Sequence, residues 1–333
     1  MKPDQHSKHE ALPKDEFGRG ESYQWLVILA VPLIIVVLAL VMKGASDAAS
    51  RRIVVYCAQD MNYAAPVFRA FEKSSGYKVA AVYDSEAVKT VGLANRLLAE
   101  KANPRCDLFW GNEELRARQL AGKGVFRETN GWAAFGYRTR RIVVNTNRLV
   151  LADAPRSLLE LTNARWRGRI ALAYPQFGST ATHFHALRQV WGEDLWRAWC
   201  RGLKANQPFL MEGNSSVVKL VARGIADIGL TDSDDVAAAV GEGAPVAAQP
   251  VGEDTLAIPN TVGLIRKPAI SPGAGRLFEY LQQPAAVEML IRKQALEGFD
   301  INAARGATMK PDWEALLRDM HATSRELSGI FLR

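Results

Sequence analysis

The residues of this 333-residue chain best suited to chemistry lie in short polar stretches at the ends of apolar runs. The stretch IGLTDSDDVAAAV, residues 228–240, places Asp232, Asp234 and Asp235 within four positions, between a strand-like and a helix-like run. Such a cluster fits a cation loop, a helix start or the wall of a pocket. A calcium loop would need a further oxygen ligand at 236 and a glycine at 237; Val236 and Ala237 stand there, so that reading fails. As a helix start, Asp232 or Ser233 would serve as N-cap, with Asp234 and Asp235 favoured by the helix dipole.

Two more stretches have the same character. Gly178-Ser179-Thr180 and Asn214-Ser215-Ser216 each precede an apolar-periodic helix. Unpaired N–H groups and the dipole suit helix starts to anions, and the same residue types also serve as ordinary caps. Three such starts in one α/β segment point to a ligand edge, because doubly wound topology brings helix starts together. His183 and His185 diverge by roughly 200° on a helix and cannot share one metal ion. No HExxH, GxSxG or GxxxxGK[ST] pattern occurs, and no enzyme is expected.

The elements that must hold these residues alternate. IVVYCA (53–58) and YKVAAVY (77–83) have strand length and β-branching. Between them Ala64, Val67, Phe68 and Phe71 share one helical face that stops at Gly76. A helix over 90–101 and a strand DLFWG (107–111) follow, and β-α-β-α-β order implies a parallel sheet. Ligands bind beyond the carboxyl ends of such strands, here at 58–62, 84–87 and 111–114. A second α/β set follows, with strands RIALAY (169–174) and DIGLTD (227–232) and helices near 180–191, 194–204 and 215–224. The β-like runs 139–149 and 260–268 flank it, as a two-lobed, hinged protein requires. The expected organisation is lobe one over 53–142, completed by about 262–306, lobe two over 143–261, and a C-terminal helical segment over 307–333.

Composition is globular, with 48% apolar and 23% charged residues. The net charge of +7 would attract anions, but no Lys/Arg run is interleaved with aromatics, and nucleic acid is not an expected partner. Three scattered cysteines exclude a disulfide framework and any CxxC site, and leave room for one bridge. Residues 25–42, WLVILAVPLIIVVLALVM, carry no charge and as a helix would span about 27 Å, close to the hydrocarbon thickness of a bilayer. With the polar tail 1–24 before it and the linker 43–52 after it, this reads as an uncleaved anchor, with a cleaved signal segment ending near residues 44–46 as the competitor.

The ordered set IVVYCAQDMNYAAPVFRAFEKSSGYKV, CDLFWGNEELRARQLAGKGVF, RIALAYPQFGST, GNSSVVKLVARGIADIGLTDSDDVAAAV and IPNTVGLIR resembles the ferric-ion-type family of extracytoplasmic solute-binding proteins. The resemblance covers residues 52–333. It implies a periplasmic-binding-protein type II fold, two α/β lobes closing on a ligand, delivery to the permease of an ATP-binding-cassette (ABC) importer, and a place outside the cytoplasmic membrane, with residues 1–24 inside. It places the family's metal-binding residue after the first strand at Asp60 and its acidic ligand after the third at Asn112, beside Glu113. The anion-binding helix starts fall at Gly178-Ser179-Thr180 and Asn214. The adjacent tyrosines that bind iron in many members fall at about Ser233-Asp234, where no tyrosine stands. The loss of phenolate removes the strongest ferric donors, although Asp60, Glu113 and Asp232 or Asp234 could still form an oxygen site. The ligand set is therefore Asp60, Asn112, Glu113, Gly178, Ser179, Thr180, Asn214, Asp232, Ser233 and Asp234. The expected solute is a small phosphorylated or phosphonate anion, and the alternatives are ferric iron with a synergistic anion or a membrane-anchored solute sensor. No cofactor is expected beyond such a ferric ion.

Overall fold

The computed structural model describes residues 31–37, 51–84, 89–128, 131–268, 271–304 and 309–332. Of the apolar span, residues 31–37 are helical with exposed side chains; the rest of 25–42, the tail 1–24 and most of the linker lie outside the described residues. Among the described residues no helix is long and apolar enough to cross a membrane.

From Arg51 onwards local pattern and local structure agree closely. Strand β1 (Arg52–Cys57) leads to helix α1 (Met61–Ser75), whose buried face is Ala64, Val67, Phe68 and Phe71. The helix ends because Gly76 takes the left-handed conformation, φ 74°, and its N–H bonds to the Glu72 carbonyl. Next come β2 (Lys78–Tyr83), α2 (Lys89–Ala99), β3 (Leu108–Gly111) and α3 (Glu114–Gly122). Strands β2, β1 and β3 pair in parallel, as βαβ connections dictate.

The chain then crosses between lobes on one strand, β4 (Trp132–Asn145). Lobe two contains β5 (Ile170–Ala173), α4 (Gly178–Trp191), α5 (Glu193–Ala205), the short β6 (Phe209–Met211), α6 (Asn214–Ala222), β7 (Ile228–Asp232), α7 (Ser233–Gly241) and β8 (Val246–Gln249). It returns on β9 (Ala257–Leu264), followed by α8 (Pro272–Gln282), α9 (Pro284–Arg292) and the long α10 (Trp313–Phe331). The strand order is β2-β1-β3-β9-β4-β7-β5-β6, with β8 also on β4. Residues 132–139 of β4 pair with β9, whereas 140–144 pair with β7. One strand thus belongs to both lobes and changes partner between Thr139 and Arg140.

β4 begins seven residues before the strand expected from 139, because Gly136 interrupts the pattern. Gly136 sits at φ +58° beside a register shift, and a Cβ there would stand 2.5 Å from Leu296 Cδ1. Two main cores result. One gathers Ile53, Val55, Phe68, Trp110 and Val262; the other gathers Trp166, Leu172, Phe184, Trp196, Trp199 and Leu230. Helix α10 packs against α3 from the first lobe and against α4 and α5 from the second. All three cysteines are buried and none is in a disulfide, so the one bridge the sequence left open is not formed.

Candidate functional site

A cavity of about 70 Å³ opens at the carboxyl ends of the strands. From lobe one it is lined by Asp60 after β1 and Asn112 after β3; Arg138 reaches it from the crossing strand. Lobe two supplies Tyr174, Phe177, Gly178, Ser179 and Thr180, then Glu212 through Ser215, then Asp232, Asp234 and Asp235. Four helices begin there: α1 after Asp60, α4 at Gly178, α6 at Asn214 and α7 at Ser233. None of the four has a side-chain cap: Asp60 and Asp232 make no capping bond, and the N-cap residues Phe177 and Gly213 have no polar side chain to offer.

This overturns the capping role anticipated for Asp232 and Ser233. Asp232 occupies the N-cap position of α7, but its carboxylate is taken by a buried network instead. Arg140, its register partner across β4 and β7, donates to Oδ1 at 2.5 Å. Oδ2 accepts from Ser179 Oγ at 2.6 Å, Asn214 Nδ2 at 3.0 Å and Arg138 Nε at 3.1 Å. Thr180 and Asn214 join the same network through Arg140. Ser233 Oγ turns away to accept from the Thr139 N–H. Two guanidiniums at a buried carboxylate attract it far more strongly than two helix N–H groups do, so the cap is forfeited.

The acids two and three residues on have the opposite environment. Burial opposes ionisation of Asp232, but Arg140, Arg138 and the Ser179 hydroxyl outweigh it and hold its carboxyl down at about 2. Burial, with Asp232 and Asp60 nearby, pushes Asp234 up to about 7 against the pull of Arg138. Burial and the neighbouring carboxylates also raise Asp235. Asp234 Oδ1 lies 3.3 Å from Arg138 Nε, yet it makes no hydrogen bond among the described residues. Asp232, Asp234 and Asp235 each offer an oxygen within 4.8 Å of the others.

Of the residues singled out in the sequence, Asp60, Asn112, Gly178, Ser179, Thr180, Asn214, Asp232 and Asp234 line the cavity; Glu113 and Ser233 do not. Glu113 is a correction in kind as well as place. Its carboxylate caps α3, accepting from Leu115 N at 2.7 Å and Arg116 N at 3.1 Å, and accepts Thr182 Oγ1 of lobe two at 2.8 Å. With its oxygens so occupied and burial raising its pKa, it is not placed to ligate a metal in the cavity. His183 and His185 point to different partners, the Asp254 carbonyl and Ser324, and burial depresses both to about 3.

Arg138 and Arg140 escaped the sequence reading. Their signal was nonetheless present: arginines at alternate positions, one face of a strand, running into the apolar IVVN. Nothing local says that the face is buried. Tyr174 gave no signal beyond closing the strand-like run RIALAY, and Glu212 gave none.

A cleft between two α/β lobes, floored by helix N-termini and crossed by a shared strand, is the architecture of a two-lobed binding protein. Residues 53–294 match the bacterial extracellular solute-binding protein family, and the chain belongs to it. Over 198 residues it is 29% identical to the Fe(3+)-binding periplasmic protein of Serratia marcescens, covering 55% of this chain and 57% of that one. The chain thus spans little more than half the length of the curated relatives it matches. Iron-bound HitA from Pseudomonas aeruginosa superposes with a TM-score of 0.71 at 18% identity, over 83% of this chain and 99% of that one. AfuA from Actinobacillus pleuropneumoniae, with exogenous fructose-6-phosphate bound, gives 0.72 at 19% identity over 84% and 98%. At these identities the structural likeness shows the fold alone. The relatives are solute-binding proteins, not enzymes.

Proposed function

We propose that the chain is the extracytoplasmic solute-binding component of an ABC importer, and that it captures a small solute bearing an acidic group between its lobes. The observation that carries this is the convergence of four helix N-termini, without side-chain caps, on one cavity. Their N–H groups and dipoles favour negative charge. Capture works through closure: a solute touching both Asp60 and Asn112 on one side and α4 and α6 on the other favours the closed arrangement by its differential affinity. The hinge lies at β4, which pairs with β9 on the side of lobe one and with β7 on the side of lobe two, and at the return of the chain into β9. Residues 25–42 hold the protein at the membrane with 1–24 on the cytoplasmic side, and the permease is the partner.

The test is thermal unfolding of the full chain with inorganic phosphate, alkylphosphonates, sugar phosphates, or ferric ion with carbonate. Ligand at a hundred times its Kd stabilises by about 2.7 kcal/mol. Stabilisation by at least one phosphorylated or phosphonate compound is expected; its absence from all of them would sink the acidic-solute reading. Intact mass of the membrane-extracted protein tests the anchor, which predicts retention of residues 1–46.

A second reading, ferric iron with a synergistic anion, is favoured by the three close carboxylates and by Tyr174 in the lining. It is weakened because both oxygens of Asp232 are committed to arginine, serine and asparagine. Stoichiometric ferric binding would establish it.

A further inference from the structure

The charge of the cavity wall does not match a solute that is only an anion. Asp60, Glu212, Asp232, Asp234 and Asp235 line it, against one guanidinium, Arg138, among the described residues. Arg140 lies behind the wall, fully buried, and is bonded to Asp232. Asp232 is therefore balanced. Asp234 has only a share of Arg138, 3.3 Å from its Oδ1, which Asp232 also holds; it is 7% exposed, and its Oδ1 accepts no hydrogen bond among the described residues. A buried acceptor without a donor is costly unless something supplies one.

We propose that the solute is a zwitterion, its ammonium group received by Asp234 with Asp60 and Asp235 around it, and its acidic group received at the starts of α4 and α6. The inference rests on the acidic-solute reading above and adds the second pole. A primary ammonium offers three donors and a full positive charge, which suits a wall of closely spaced carboxylates and an oxygen that accepts no hydrogen bond. The two poles lie on different elements: the ammonium faces α1 and α7, and the acidic group faces α4 and α6. The shift of Asp234 towards neutral pH follows from the same imbalance, since a neighbouring ammonium would return it to the ionised form and release a proton.

The experiment is calorimetric titration of the full chain at pH 7 with O-phosphoethanolamine, ethyl phosphate and ethylenediamine. These probes have both poles, the acidic pole and the basic pole respectively. Phosphoethanolamine is expected to bind roughly tenfold or more tighter than ethyl phosphate, since a charge-assisted hydrogen bond to a buried carboxylate is at stake. Asp234→Asn should reduce that difference severalfold, and its fold can be checked by circular dichroism. Titration in two buffers of different ionisation enthalpy should show proton release with phosphoethanolamine and less with ethyl phosphate. Equal affinity for phosphoethanolamine and ethyl phosphate would overturn the ammonium site while leaving the acidic-solute reading intact. Binding of neither phosphate compound would overturn the zwitterion, and the acidic-solute reading would then fall only if the wider panel of phosphates and phosphonates failed as well. Binding of ethylenediamine alone would show a site for cations and remove the acidic pole.

Discussion

Strand β7 ends in an aspartate-arginine cluster at both ends, and the two clusters do different things. At the amino end Asp227, buried, is held by Arg148 at 2.5 Å and by Arg169, whose side chains are 53% and 43% exposed. At the carboxyl end Asp232 is held by Arg140 and Arg138, with side chains 0% and 4% exposed. The outer arginines keep much of their hydration, so losing their partner leaves them in water. The inner arginines have no water to return to. The same residue types are thus a surface clamp at one end and a desolvated framework at the other, and only the second faces a cavity with a further acid, Asp234, that shares Arg138 without a hydrogen bond to its Oδ1.

The largest expected effect comes from breaking the inner cluster. Asp232→Ala strands two buried guanidiniums and should lower the unfolding free energy by about 3–5 kcal/mol, read by urea denaturation. Asp227→Ala should cost about 1 kcal/mol, because half-solvated pairs contribute little. Equal losses would abolish the distinction between the two ends.

Salt and pH divide the clusters further. Raising ionic strength should weaken the contribution of Arg148 and Arg169 and leave that of Arg138 and Arg140 nearly unchanged, measured by the salt dependence of each single variant. Asp232 titrates low in the folded chain, at about 2, so its stabilisation is present above the ordinary carboxyl value near 4 and is lost as pH falls towards 2. Asp234 runs the other way. With its folded value raised to about 7, it makes ligand-free stability fall as pH rises from about 4 to 7.

The smallest effect has the opposite sign. Asp234→Asn removes a buried charge without changing shape, so the ligand-free protein should gain a few tenths to about 1 kcal/mol at pH 8 and nothing at pH 4. A loss of stability at pH 8 would mean that Asp234 is already compensated within the protein.

Much of this was legible along the chain. The spacing of Ala64, Val67, Phe68 and Phe71 and the stop at Gly76 depend on neighbours within one or two turns, and they appear in the structure within two residues. The helix starts at Gly178, Asn214 and Ser233 were visible for the same reason. Roles were less visible than places. Asp232 occupies an ordinary cap position, and Glu113 sits beside a cavity residue; yet the first does not cap and the second does.

The sequence by itself determined which segments form strands and helices, where they stop, and that acids and small polar residues gather at strand ends, because periodicity, capping and turn chemistry act over a few residues. Only the tertiary structure decided which acid is neutralised. The antiparallel register sets Arg140 opposite Asp232, 92 positions away in sequence, while Asp234 has only a share of Arg138 at 3.3 Å. Desolvation and pairing are properties of distance in space, and the chain crossing on β4 creates both at once.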